Sequence, residues 1–339
     1  MGLIIDLQAI VANWQALAAR APGARPAAVV KADSYGLGAT RVAPALYAAG
    51  ARDFFVALAS EGRALRPHLP DDARIMVLSG HMLGADLTGL IPMLNSPEQF
   101  FRDRAMRPGG AFGIQLDSGM NRLGFEPAEW AAIRDEALAA GPVLLMSHLA
   151  CADEPDHPAN RQQLEAFRAM THDTHVPRSL AATGGTLLGS HYHFDLVRLG
   201  IGMYGGEPFA DAQPVVTLSL PVIQTRDVAR DESVGYGYSW TARRPSRVAT
   251  VAAGYADGLM RALARDGRLV LWADDQPCPV VGRISMDLIT VDVTGLAEVP
   301  AELQILNHRQ KVDDLAALGG TIGYEILTSL GARYPGEYL

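Results

Sequence analysis

Lys31 and Lys311 are the only lysines in a chain of 339 residues whose other strong bases are all arginine. Arginine replaces lysine well as a surface charge but not as a nucleophile, because guanidinium cannot form an imine and a lysine amine can. Lys31 stands in Val29-Val30-Lys31-Ala32-Asp33-Ser34-Tyr35-Gly36-Leu37-Gly38, at the end of an apolar run and ahead of a glycine turn. Other polar groups fall at the ends of later apolar runs: Asp117 to Arg122, Ser147-His148, Thr183-Gly184-Gly185 and Arg198. Two glycine turns, Thr183-Gly184-Gly185-Thr186 and Leu199-Gly200-Ile201-Gly202, are of the kind that lets backbone amides close on a phosphate. One strand-end lysine is most often a surface charge, and one glycine pair is most often a turn. The signal lies in their convergence on covalent chemistry with a phosphate-bearing group.

Convergence requires elements that place these residues at one end of a scaffold. Up to about residue 212, short apolar or β-branched runs alternate with helical patterns. The expected strands are 26–32, 53–58, 74–79, 91–95, 111–117, 143–149, 178–183 and 197–204. The expected helices include 40–50, 96–106, 126–140 and 159–171, several opened by Ser, Thr or Pro in capping positions. Eight strand–helix units in about 200 residues fit an α/β fold of the (β/α)8 TIM-type, with an open doubly wound sheet as the alternative. In such a barrel the strand C-termini line the site, and that is where Lys31 and the other polar residues fall. After Pro214 the texture changes, and 215–223, 247–253, 268–273 and 278–293 read as strands between Gly, Asp and Pro turns. The expected organisation is a barrel domain over 1–212, followed by a mainly β domain over 213–339.

Composition narrows the function. A net charge of -8 opposes a polyanionic partner, so no nucleic acid is expected. No segment approaches the roughly 20 apolar residues of a membrane span, and the N-terminus has no basic region, so a soluble, cytoplasmic chain without a membrane partner is expected. Cys151 and Cys278 lie far apart without CxxC spacing and read as buried thiols.

Seven segments, in order, resemble the bacterial alanine racemase family of barrel-type pyridoxal-phosphate enzymes. They are Val29-Val30-Lys31-Ala-Asp-Ser-Tyr35-Gly-Leu-Gly, Leu116-Asp-Ser-Gly-Met-Asn-Arg122-Leu-Gly, Val197-Arg198-Leu-Gly-Ile-Gly-Met-Tyr-Gly205, Tyr236-Gly-Tyr-Ser-Trp-Thr-Ala242, Gly254-Tyr-Ala-Asp-Gly258, Val281-Gly-Arg-Ile-Ser-Met286-Asp287 and Gly323-Tyr324-Glu325. The resemblance covers nearly the whole chain and implies racemisation of alanine with pyridoxal 5'-phosphate. It implies that Lys31 carries the cofactor as an imine and that Tyr35, Tyr324 and backbone amides near Gly184 and Gly200 to Ile201 hold its phosphate. Arg198 would face the pyridine nitrogen, and Arg122 the phenolic oxygen and the substrate. Tyr236 would be the second catalytic base, with Tyr255, Met286 and Asp287 on the substrate side. It also implies a homodimer whose sites are shared between chains, and a role in supplying D-alanine for peptidoglycan or in D-alanine catabolism.

The chemistry agrees with this division of labour. Racemisation removes the Cα proton on one face and returns one on the other, which two opposed bases achieve without either having to move. A tyrosine, with a reference pKa of about 10, needs a neighbouring cation to act as a base, and His148 or an arginine could supply it. The chain departs from the family pattern at three places. Gln115 stands where many members carry a carbamylated lysine that orients the arginine equivalent to Arg122, and is expected to accept a hydrogen bond from Arg122 instead. Thr183-Gly184 replaces Asn-Ser, leaving Thr183 or Thr186 to supply a phosphate-binding hydroxyl. Met146 replaces a common tyrosine.

Rival readings are a serine or broad-specificity racemase, a decarboxylase of the same barrel class, and a non-catalytic pyridoxal-phosphate-binding protein, which would resemble only the first domain. A metal-dependent hydrolase could use His191 and His193 or the group Asp153, Glu154, Asp156 and His157. Those side chains read as loop residues, and no metal is expected.

Overall fold

The computed structural model describes residues 2–331 and 333–339. The chain divides into two compact units, Ile10–Ala212 and Met1–Ala9 with Gln213–Leu339. The expected domain 1–212 is therefore corrected at its start. Strand β1 (Gly2–Ile5) runs antiparallel to Val216–Ser219 and parallel to Gly336–Tyr338, so the backbone partners of the first residues lie in the C-terminal unit. Helix α1 (Leu7–Ala18) follows.

The unit Ile10–Ala212 is a ring of eight parallel strands: β2 (Arg25–Val29), β3 (Asp53–Val56), β4 (Arg74–Val77), β5 (Ile91–Leu94), β6 (Gly113–Gln115), β7 (Leu145–Met146), β8 (Arg178–Ser179) and β9 (Leu196–Leu199). Each pairs with the next, β9 pairs with β2, and a parallel bridge from Ala182 to Arg198 closes the ring. The strands are shorter than the apolar runs suggested, because the last residues of each run leave the ladder and become the loops of the site. Phe54, Phe55 and Ile75 are wholly buried, as expected of strands covered on both faces. Burying each such side chain contributes roughly 1.5–3 kcal/mol.

The helices of this unit are α2 (Lys31–Gly36), α3 (Ala39–Ala48), α4 (Ala59–Leu65), α5 (Pro97–Met106), α6 (Pro127–Ala139), α7 (Pro158–Met170) and α8 (Thr183–Leu187). Four agree with the expected ranges to within one or two residues. Helix α5 starts where the Ser96 hydroxyl accepts the Gln99 N–H at 3.2 Å and Pro97 fills the first helical position.

The other unit is strand-rich. Its members are β10 (Val216–Val228), β11 (Ser233–Val234), β12 (Trp240–Thr241), β13 (Ser246–Ala252), β14 (Val270–Ala273), β15 (Gln276–Pro279), β16 (Leu288–Asp292), β17 (Glu302–Leu306) and β18 (Gly336–Tyr338), with helices α9 (Val312–Gly319) and α10 (Gly323–Ser329). The long β10 is its spine, pairing with β1, β13 and β17. The single strand expected over 278–293 is two strands separated by residues 280–287, and that excursion carries Arg283, Met286 and Asp287. Lys311 is half-buried at the start of α9, where its N–H donates to Asp314 at 2.8 Å. Cys278 is buried, whereas Cys151 is only partly so.

Candidate active site

Lys31 leaves the end of β2 and opens a turn of unusual hand. Ala32, Asp33, Ser34 and Tyr35 all have positive φ, from 51° to 58°. Four consecutive L-residues in that region cost roughly 1–2 kcal/mol each, so the turn persists only because its surroundings hold it. Glu61 of α4 does much of this. Its Oε1 accepts the Ala32 N–H at 2.9 Å and its Oε2 the Ala57 N–H at 2.7 Å. Asp33 accepts the Ala39 N–H at 2.6 Å and locks the far end. Sequence reasoning missed Glu61, whose one signal was an acid in the first turn of a helix. The turn carries Tyr35 inward, stacked 4.7 Å from Tyr204, with its hydroxyl so near Gly200 that a Cβ there would lie 2.9 Å from it. Tyr35 and Gly200 are thus brought together as expected.

Around the Lys31 amine the electrostatics favour the neutral form. Its pKa is lowered chiefly by removal from water and then by Arg122 and Arg198, against an opposing pull from Glu61. His148 is pushed down to about 3 by burial first and then by Arg198, Arg122 and Lys31, so it is neutral near pH 7. Its Nδ1 lies 3.2 Å from Nη2 of Arg198. Guanidinium can only donate, so Nδ1 accepts and the histidine proton sits on Nε2.

Arg198 is buried at 3% exposure with its pKa lowered to about 10 by burial, which still leaves it cationic near neutrality. Its Nη1 donates to the Ser179 carbonyl and hydroxyl, and its Nη2 to the Ser147 and Leu180 carbonyls. All these acceptors are neutral. Its Nε–H is the donor that has no acceptor among the described residues.

Arg122 is exposed on the loop after β6, and Asp117 shapes that loop by accepting the N–H groups of Gly119, Met120 and Asn121 at 2.9–3.2 Å. Gln115 does not reach Arg122. Its Nε2 donates instead to the Leu123 carbonyl at 3.0 Å, so it steadies the backbone beside Arg122 rather than the guanidinium. At the Thr183-Gly184 departure the two threonines differ in what their hydroxyls engage. Thr183 Oγ1 accepts the Gly200 N–H at 3.1 Å, which engages one of the amides expected for phosphate, while its own O–H remains able to donate. Thr186 instead spends its hydroxyl on the Ala182 carbonyl. Gly184 has no room for a side chain, since a Cβ would lie 2.8 Å from the Ala152 carbonyl oxygen.

The fit to pyridoxal phosphate rests on the donor set: one amine held toward neutrality, a guanidinium with a spare N–H, a tyrosine hydroxyl against a glycine turn and a threonine O–H beside it. The alternative metal ligands do not converge. His193 is buried with Nε2 against the Thr186 carbonyl at 2.8 Å, whereas His191 is exposed.

In the C-terminal unit, Tyr236 stands on a turn at 72% exposure, and the Arg283 guanidinium lies behind Gly237, where a Cβ would come within 3.5 Å of it. Tyr255 and Met286 are placed together by two backbone bonds, from Tyr255 N–H to the Ser285 carbonyl and from Ala256 N–H to the Met286 carbonyl, each 3.0 Å. Gly254 permits this approach, because a Cβ would collide with both carbonyl oxygens at 2.3 Å. The Asp287 carboxylate is turned to Arg333 at 2.5 Å. Tyr324, at 37% exposure, lies in the first turn of α10.

A closed parallel barrel with one amine among arginines at its strand ends, joined to a strand-rich unit, defines the class of barrel-type pyridoxal-phosphate enzymes. Residues 5–208 match the alanine racemase N-terminal domain and residues 215–338 the alanine racemase C-terminal domain. The chain therefore belongs to the alanine racemase family. It is 60% identical over 341 residues to the alanine racemase of Cereibacter sphaeroides, covering 99% of this chain and 97% of that one, and 59% identical over 340 residues to that of Ruegeria sp., covering 99% and 98%. The crystal structure of alanine racemase from Bartonella henselae, with covalently bound pyridoxal phosphate, superposes with a TM-score of 0.94 at 36% identity, covering 100% of this chain and 99% of that one.

Proposed function

We propose that the chain interconverts L- and D-alanine with pyridoxal phosphate held on Lys31, and that Tyr236 of a second copy supplies the opposing base. The observation that carries this reading is the placement of Lys31 at a strand end of the closed barrel, in which the neighbouring strand β9 carries buried Arg198 with its guanidinium against His148. When bound, the cofactor supplies an electron-withdrawing conjugated system that makes the substrate Cα proton acidic enough to remove. Lys31 would hold the cofactor covalently. Tyr35, Thr183, Tyr324 and the backbone at Gly184 and Ile201 would hold its phosphate.

Arg198 would donate Nε–H to the ring nitrogen while keeping its own proton, because even at about 10 its pKa is too high for it to act as an acid near neutrality. Neutral His148 would offer Nε2–H without adding charge. Lys31 Nζ, once free, would move the Cα proton on one face, and Tyr236 Oη on the other. Arg122, Tyr255 and the Met286 backbone would hold the substrate carboxylate. Asp287, paired with Arg333, would act on the position of Met286 rather than on the carboxylate.

Among the described residues no helix is long and apolar enough to cross a membrane. The proposed setting is the cytoplasm, as a homodimer that supplies D-alanine for peptidoglycan or opens its catabolism. The test is borohydride trapping of the loaded protein, which should fix the cofactor on Lys31 and not Lys311, together with loss of optical rotation from L-alanine in a panel of amino acids. Release of carbon dioxide would instead indicate a decarboxylase, and cofactor uptake without turnover of any amino acid a binding protein.

A further inference from the structure

Strand β7 pairs with its neighbours over only Leu145–Met146, so the backbone that follows, which carries His148, has left the sheet and needs other partners. Two of them come from α7. Gln163 Oε1 accepts the Ala150 N–H at 2.8 Å, and its Nε2 donates to the His148 carbonyl at 3.0 Å. The side-chain amide thus does for residues 148 and 150 what a neighbouring strand would do. Asn160 Nδ2 donates to the carbonyls of Cys151 at 3.0 Å and Glu154 at 2.9 Å. Both amides are buried, at 3% and 1% exposure, so water cannot stand in for them.

This strap touches the site at two points. At one end, Ser118 Oγ lies 3.4 Å from Gln163 Nε2 and 2.7 Å from Ser147 Oγ, and Arg198 Nη2 holds both the Ser147 carbonyl, at 2.6 Å, and His148 Nδ1. At the other end, Ala152 lies within the strapped segment, and its carbonyl oxygen lies 2.8 Å from where a Cβ on Gly184 would be.

We infer that Gln163 and Asn160 are positioning residues whose side-chain amides fix the segment from His148 to Glu154, and through it set His148 against Arg198 and Ala152 against the Gly184 turn. The inference rests on the reading that this end of the barrel binds pyridoxal phosphate. Neither amide is among the groups expected to touch the cofactor, so each acts through another residue.

The test uses the holoenzyme. Gln163→Met keeps the length and removes the hydrogen bonds to Ala150, His148 and Ser118. It should raise the cofactor dissociation constant about tenfold, the equivalent of one net hydrogen bond, and shift the visible absorption band of the bound cofactor. The value of kcat should fall by a similar factor while KM for L-alanine changes by less than about twofold. Gln163→Ser gives up the same bonds without burying a charge and leaves room for water at the freed groups, so it should fold and shift the band in the same direction, and it carries the test if the methionine variant does not fold. In a His148→Ala background the Gln163→Met shift should largely disappear, whereas full additivity would mean that Gln163 acts elsewhere and would overturn the inference. Gln163 variants with the parent's band and cofactor affinity would overturn it as well. A parent that takes up no cofactor on Lys31 would overturn the proposed function itself, which keeps the two failures distinct.

Discussion

With the exception of exposed Arg122, the two units present their candidate groups in opposite ways. In the barrel unit, Arg198, Thr183 and Tyr35 are buried, and His148 is engaged by Arg198. In the C-terminal unit, Tyr236, Tyr255 and Met286 stand at 72%, 42% and 53% exposure. A buried cation or hydroxyl is oriented by its own chain, so its loss disturbs both cofactor and fold. An exposed phenol is oriented by little within its own unit and remains accessible to water, where a proton abstraction from carbon is poorly supported. The barrel half of the chemistry is therefore self-contained, while the tyrosine half needs a cover, which the proposed dimer supplies.

The sharpest way to break that contrast is Tyr236→Phe. It should lower kcat between about 100- and 10,000-fold, as expected for a general base, without changing the thermal unfolding midpoint. Mixing it with Lys31→Ala under conditions of subunit exchange should restore activity, since one of the two sites in the heterodimer would have both bases. Demonstrated heterodimers without activity would end the shared-site reading, and a large fall in Tm for Tyr236→Phe would end the contrast itself.

Arg198→Glu probes the opposite side. The new carboxylate would face the carbonyl oxygens that now accept from Arg198, so the barrel should lose about 3 kcal/mol or more of stability by denaturant titration. In its proposed place Arg198 would also withhold a proton from the ring nitrogen, which would limit how far charge is drawn from Cα. Transamination per turnover should rise in the variant. A variant as stable as the parent and partitioning as it does would show that the arginine sets neither property.

Lys31, its strand-end position and the barrel around it were legible because they rest on local signals: a rare residue type, apolar runs of strand length, and glycine turns. What escaped was set by tertiary contact. Strand β1 is four residues long, and only its pairing with β10 and β18 assigns it to the C-terminal unit. The excursion of residues 280–287 reads as continuous strand because its apolar residues pack in a loop. Glu61 and Gln163 look like ordinary helix-surface residues in sequence, yet the one reaches back to Ala32 and the other into the strand ends. Gln115 stands out in the sequence as a departure from the resembled pattern, but its bond goes to Leu123 rather than to Arg122, a choice that no spacing reveals.

A smaller effect follows from His148. Its folded pKa of about 3 lies below the unfolded value near 6.5, so in acid the unfolded chain takes up the proton first. Stability of the cofactor-free protein should therefore fall as the pH drops from about 6.5 toward 3, by about 2 kcal/mol at pH 5 from this group alone. His148→Gln should flatten that part of the profile in calorimetry across the range. An unchanged slope would mean that the ring is not held neutral by its surroundings, and would blur the contrast with the exposed tyrosines.

The smallest effect tests whether the barrel half is as tightly self-organised as its burial suggests. Thr183→Val keeps the shape of the side chain and removes its hydroxyl, which leaves the Gly200 N–H without its acceptor at 3.1 Å. An unsatisfied buried donor costs about 1–3 kcal/mol, so unfolding should shift by that order even without cofactor. The loss of the hydroxyl donor should in addition weaken cofactor binding roughly tenfold by titration, and Thr183→Ser should recover most of both. If the valine variant weakens cofactor binding but leaves the cofactor-free protein as stable as the parent, Thr183 serves the phosphate alone. The Gly200 turn would then be ordered by the ligand and not by the chain.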